Sequence, residues 1–255
     1  IDKGGNDTFD FSTQSNGVYA DISPDSWSDL NYNGVSSYYF SSSPNLIASG
    51  LSGTADVGLL QSDGTYIYYT HSNSDGNVSN WTNSGITSVM TSDLDGNGYD
   101  DILLQSGTNL ITLNNDGNNN WSSQLIASGL SSNSSASLLQ SDGTYVVDND
   151  LNSWTNSGIT SVMTSDLDGN GYDDILLQSD TNLITLNNDG NNNWSPQLIA
   201  SGLNSNSSAS LLQSDGTYVV DNDLNSWTNS GITSVMTSDL DGNGYDDILL
   251  QSDTN

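Results

Sequence analysis

The chain has 255 residues, of which 33% are hydrophobic, and it carries 31 acidic side chains against one lysine, for a formal net charge of −30. Such a chain cannot neutralise phosphates, which excludes nucleic-acid binding, and the same charge disfavours anionic membrane surfaces. No stretch approaches the roughly 18 apolar residues of a membrane span, so insertion is excluded as well, and without cysteine there is neither a disulfide nor a thiolate metal centre.

Every acid is aspartate; there is no glutamate. Aspartate is a poor helix former, a good turn residue and a hard oxygen ligand, so the composition points to loops that need cations. Taken in chain order, residues 1–47 form a segment of their own, opening on Ile1 without a methionine or signal peptide, as in a processed or incomplete chain. Residues 48–255 are a tandem array. The 26-residue string Trp81–Ser106 recurs unchanged at Trp154–Ser179 and Trp227–Ser252, a period of 73, and Ser137–Asn182 is identical to Ser210–Asn255.

Each period reads as two related halves. The tripeptide LLQ starts at Leu59, Leu103, Leu138, Leu176, Leu211 and Leu249, the first five followed by a second apolar run such as Leu110–Leu113 or Tyr145–Val147. The short apolar runs bounded by turn residues predict strands, and NNDG at Asn114–Gly117 and Asn187–Gly190 predicts tight hairpin turns. No helical periodicity is visible. The expected fold is all-β: tandem β-meander repeats forming a β-propeller of about six short blades, with a stacked β-repeat array as the alternative.

One half of each period carries the acidic insertion DLDGNGYDD at Asp93–Asp101, Asp166–Asp174 and Asp239–Asp247. Oxygen side chains fall at its positions 1, 3, 5 and 9, and alternating donors in a tight glycine-containing loop can wrap one hard cation. The expected ligands are Asp93, Asp95, Asn97, the Tyr99 carbonyl and Asp101. Their counterparts are Asp166, Asp168, Asn170, Tyr172 and Asp174 in the second loop and Asp239, Asp241, Asn243, Tyr245 and Asp247 in the third. The cofactor is Ca2+. An EF-hand would place a bidentate glutamate at position 12, where this chain has Leu104. The three loops are expected to act as separate sites.

The run VMTSDLDGNGYDDILLQ, followed by an apolar strand and NNDG, resembles the FG-GAP/VCBS-type repeats of integrin-α-like β-propellers. That resemblance covers most of residues 50–255 and implies calcium in the loop between the first two strands of a blade. It says little about function, because such repeats serve adhesins, lectins and enzyme accessory domains alike. At the other end, GGNDTFDFS at Gly4–Ser12, followed by GVYADISPDSWSDL, resembles the segment of serralysin-type metalloproteases next to their calcium-binding nonapeptide repeats. It implies an exported bacterial parent. It does not imply proteolysis, since the chain has no HExxH and a single histidine, His71, in a polar turn.

The recurring Trp81, Trp121, Trp154, Trp194 and Trp227 are expected to pack between sheets, with sugar stacking as the alternative. Seven N-x-S/T sequons (Asn6, Asn77, Asn80, Asn120, Asn133, Asn193 and Asn206) offer glycosylation sites in a secreted chain. The functional expectation is a non-catalytic, extracellular, calcium-stabilised structural or adhesive repeat protein at a bacterial cell surface. Residues 1–47 would either close the repeat array by pairing with its last unit or pair head-to-tail with a neighbouring chain, so the partners would be other copies, through that segment, or glycans. A lectin-like propeller and an accessory domain of a larger secreted hydrolase are the alternatives.

Overall fold

The computed structural model describes residues 46–71, 76–131, 134–204 and 208–253. The chain divides into two units, Ile1–Leu46 and Ile47–Asn255. The GGNDTFDFS segment, residues 1–45 of the N-terminal segment and the sequons at Asn6, Asn133 and Asn206 lie outside the described residues.

The described part of the second unit is all-β, with four antiparallel sheets of three, six, six and two strands. The first sheet is β1 (Ala48–Ser49), β2 (Val57–Leu60) and β3 (Tyr66–Tyr69), followed by a one-turn helix α1 (Val78–Trp81). The second runs in chain order through β4 (Ser88–Ser92), β5 (Asp101–Ser106), β6 (Asn109–Asn115), β7 (Trp121–Ser128), β8 (Ser137–Leu139) and β9 (Tyr145–Val147). After α2 (Asn149–Trp154) the third sheet repeats it as β10 (Ser161–Ser165), β11 (Asp174–Ser179), β12 (Asn182–Asn188), β13 (Trp194–Ser201), β14 (Ser210–Leu212) and β15 (Tyr218–Val220). Helix α3 (Asn222–Trp227) leads into the fourth sheet, β16 (Ile232–Ser238) and β17 (Asp247–Ser252).

The two halves of a period therefore share one sheet instead of forming two blades. The joint is narrow: β7 registers with β8 only through Ala127↔Leu138 and Ser128↔Ser137, and β13 with β14 only through Ala200↔Leu211 and Ser201↔Ser210. Two residue pairs are enough to carry the hydrogen-bond ladder from one meander into the next. The same register opens the first sheet, where Ala48 faces Leu59, so residues 46–69 repeat the second half of a period. None of the four sheets closes on itself.

The sheets stack face to face, which explains why DILLQ reads as an uninterrupted apolar run. Successive side chains on a strand point to opposite faces, and both faces here are covered. Leu103 and Leu110 enter the core between the second and third sheets, with Ile175, Leu177, Ile184 and Leu186 opposite. Their chain neighbours Leu104 and Ile111 enter the core between the first and second, with Val57 and Leu59. In the third sheet the alternation repeats, Leu176 and Leu183 facing Val235 of the fourth. Among the tryptophans, Trp121 and Trp194 are buried in these cores, Trp81 and Trp154 pack against them, and Trp227 is exposed.

The three short helices correct the expectation of a helix-free chain. They are too brief to produce a periodic apolar pattern and are set by their caps. The side chain of Asn77 accepts hydrogen bonds from the backbone of Ser79 and Asn80, while Asp148 and Asp221 accept from Leu151 and Leu224 at 2.7 Å. Thr82, Thr155 and Thr228 close the turns by donating their hydroxyls to the carbonyl four residues back. Among the described residues, no helix is long and apolar enough to cross a membrane.

Candidate metal centres

Each acidic loop bridges the first two strands of its sheet: β4 to β5, β10 to β11 and β16 to β17. The antiparallel register sets Ser92 opposite Asp101, Ser165 opposite Asp174 and Ser238 opposite Asp247, so the first and ninth loop positions come together at the mouth of a hairpin. The result is three carboxylate triads: Asp93, Asp95 and Asp101; Asp166, Asp168 and Asp174; Asp239, Asp241 and Asp247. In each, one oxygen per residue lies within 4.8 Å of the others.

The loop's own backbone holds the carboxylates in place. In the first loop Asp93 accepts from Asn97 N at 3.0 Å and Gly98 N at 2.8 Å, and Asp95 accepts from Asn97 N at 3.1 Å. The second and third loops repeat these bonds, from Asn170 and Gly171 and from Asn243 and Gly244. Asp101 is fully buried, its two oxygens taking Asn115 N at 2.8 Å and Leu94 N at 3.2 Å; Asp174 does the same with Asn188 N and Leu167 N. Burial pushes both carboxyls up to about 6. The charges of Asp95 and Asp93, or of Asp168 and Asp166, push the same way, against the pull of the backbone N–H groups. Like charges gathered around a buried carboxylate are relieved by a divalent cation, and the all-oxygen donor set suits a hard one. A carboxylate oxygen that accepts one hydrogen bond keeps a second lone pair for a metal.

The structure gathers the aspartates of all three predicted ligand sets. Asn97, Asn170 and Asn243 sit inside the loops, each turning its amide oxygen to the N–H of the following tyrosine at 2.8 Å. In the first two loops the asparagine amide group also donates to a hairpin carbonyl, Asn115 O or Asn188 O, at 2.8 Å. The tyrosine rings have work outside the triads. Tyr99 packs on Gly117 and Tyr172 on Gly190, each in its own unit's NNDG turn, so closely that a Cβ on either glycine would collide with the ring.

Sequence reasoning missed the eighth loop position. Asp173 accepts a hydrogen bond from the Ser92 hydroxyl of the preceding unit, and Asp246 accepts one from Ser165 in the same way. Nothing in the one-dimensional pattern separates these aspartates from the ligands beside them, because the acidic string is identical in all three copies.

No family model matches the chain, and no curated protein does. Among solved structures, it is similar to a TcdB2-TccC3 chain without its hypervariable C-terminal region, at 14% identity and a TM-score of 0.37 over 80% of this chain and 8% of that one. A Photorhabdus luminescens Tc holotoxin pore carrying the TccC3-D651A mutation gives 15% identity and 0.36, over 78% and 7%. A lectin of Agrocybe aegerita, described as recognising non-reducing terminal N-acetylglucosamine, gives 17% identity and 0.29, over 78% and 69%. The chain thus spans less than a tenth of the two toxin chains. The fold described above rests on this chain's own strands and register.

Proposed function

We propose that this chain is a calcium-stabilised, non-catalytic repeat module of an exported protein, with a structural or adhesive role, related in design to FG-GAP/VCBS blades. One observation carries the reading: the same three-carboxylate cluster is built three times, at the same hairpin of three successive sheets. In each, Asp93, Asp95 and Asp101 or their counterparts would hold Ca2+, with the asparagine amide oxygen and the tyrosine carbonyl completing the shell. The ion would supply charge neutralisation and tie the two ends of the loop together. Export is favoured because calcium at millimolar concentration is found mainly outside cells. Burial of Trp121 and Trp194 favours a packing role for those two tryptophans over sugar stacking.

The test is thermal unfolding of the full chain, followed by circular dichroism, in millimolar calcium and after calcium is stripped. Ion binding to the native state alone adds about 2.7 kcal/mol per site at a hundredfold excess over Kd. Three sites should then raise the midpoint by more than about 10 °C. Equal midpoints would reject the calcium reading.

A further inference from the structure

Successive loops touch one another, and the same parts make the contact at both junctions. The Tyr172 ring lies against Gly96 of the preceding loop, and the Tyr245 ring lies in the same way against Gly169. Both glycines have a φ near +73°, and a Cβ on either would run into the tyrosine ring. Beside the rings are the two carboxylate–serine clasps, Asp173 with Ser92 and Asp246 with Ser165. Two further links join the units: the Asn188 side-chain Nδ2 donates to Leu94 O at 2.7 Å, and Asp246 N donates to Asp166 O at 3.1 Å. Each later loop therefore reaches back onto the one before it through its seventh and eighth residues. Those residues lie directly before the ninth, the buried aspartate of the triad.

We infer that the three loops bind calcium with positive cooperativity, through a relay in which Tyr172 and Asp173, and likewise Tyr245 and Asp246, act as positioning residues for the preceding loop. The inference rests on the calcium reading above. An ion held by Asp166, Asp168 and Asp174 fixes the backbone on either side of Tyr172 and Asp173. Their side chains then hold Gly96 and Ser92 where loop 93–101 needs them, so part of the ordering cost of the first loop is met before its own ion arrives. By linkage the first loop helps the second equally. Charge alone predicts the opposite sign, because filling one loop removes negative potential that draws a cation to the next. At physiological ionic strength that effect is screened over about 8 Å. The relay requires the direct hydrogen bonds and ring contacts to outweigh that repulsion, and the sign of the measured coupling decides between them.

The experiment is calorimetric titration of the full chain with calcium at physiological salt, unsubstituted and in five variant forms. Asp241→Ala disables the third loop and leaves two sites. Adding Asp168→Ala leaves the first loop alone, and adding Asp95→Ala instead leaves the second alone. The fourth form is Asp241→Ala with Tyr172→Ala, which removes the ring and keeps every proposed ligand atom. The two-site protein should bind its calcium roughly fivefold or more tighter at the first loop than the one-site form does. Tyr172→Ala should abolish that gain, so that the first loop binds no more tightly than it does in the one-site form. Ser92→Ala, which removes only the clasp hydroxyl, should give a smaller loss of the same kind, and it decides the matter should Tyr172→Ala fail to fold. A two-site isotherm equal to the sum of the single sites, or weaker, overturns the relay while the calcium reading stands. No calcium uptake by the unsubstituted chain overturns both.

Discussion

The second and fourth sheets open with the same sequence, yet its residues meet different surroundings. Leu94 is 5% exposed where its copy Leu240 is 60% exposed, and Leu103 is fully buried where Leu249 is 46% exposed. The second sheet lies between two neighbours, and both faces of its strands are covered. Among the described residues the fourth has a neighbour on one face only, the third sheet, against which Val235, Ile248 and Leu250 pack. Identical sequence therefore produces the same hairpin register and the same loop, but not the same burial. In a stacked array stability is shared between neighbours, so the energy of a residue depends on its place in the stack.

The largest test of this difference is a matched pair of truncations. Leu103→Ala should cost about 2–5 kcal/mol in urea unfolding of the full chain, as a fully buried leucine does, whereas Leu249→Ala should cost under about 1 kcal/mol. Equal losses would mean that the outer face of the fourth sheet is covered in solution.

A second test uses the buried acids of the interior loops. Asp101 and Asp174 titrate at about 6 in the folded chain, above the ordinary value of 3.8. The folded state thus holds their protons to higher pH than the unfolded state does. Their contribution is fully present below the ordinary carboxylate range and is lost as pH rises through about 6. Calcium-stripped protein should lose on the order of 2 kcal/mol per site between pH 4 and pH 7. Asp101→Asn should remove the first site's share of that slope, measured as the urea midpoint at the two pH values. A slope unchanged by the substitution would place the titration elsewhere.

The finest comparison isolates the contact between loops. Gly96 and Gly242 both hold a left-handed backbone, at φ +72° and +77°, so alanine strains each alike, by about 1–2 kcal/mol. Around Gly242, however, nothing lies within 4 Å of the added carbon, whereas at Gly96 it meets the Tyr172 ring. Gly96→Ala should therefore cost about 1 kcal/mol more than Gly242→Ala, and Tyr172→Ala should erase the excess. Equal costs for the two alanine variants would show that the ring does not rest there in solution.

Much of this was legible in the residues. LLQ, LITL and NNDG mark strands and turns because burial on both faces demands apolar runs and tight hairpins demand asparagine, aspartate and glycine. The triads were legible too, since alternating oxygens at a hairpin mouth can only converge: Ser92 facing Asp101 fixes where the first and ninth positions meet. The short helices were missed because four to six residues hold too little of a 3.6-residue period to read, although Asp148 and Asp221 stood there as caps.

What the sequence determined by itself is local: strand and turn, cap and ligand loop, all set by interactions within a few residues or across one hairpin. What only the tertiary structure decided is how repeats join. That two halves of a period share one sheet depends on two residue pairs between β7 and β8. That Asp173 clasps Ser92 while Asp174 lines the triad depends on a neighbouring repeat being stacked alongside. Adjacent and chemically identical, the two aspartates differ only in the face to which the backbone turns them, and that is settled by contacts some 80 residues away along the chain.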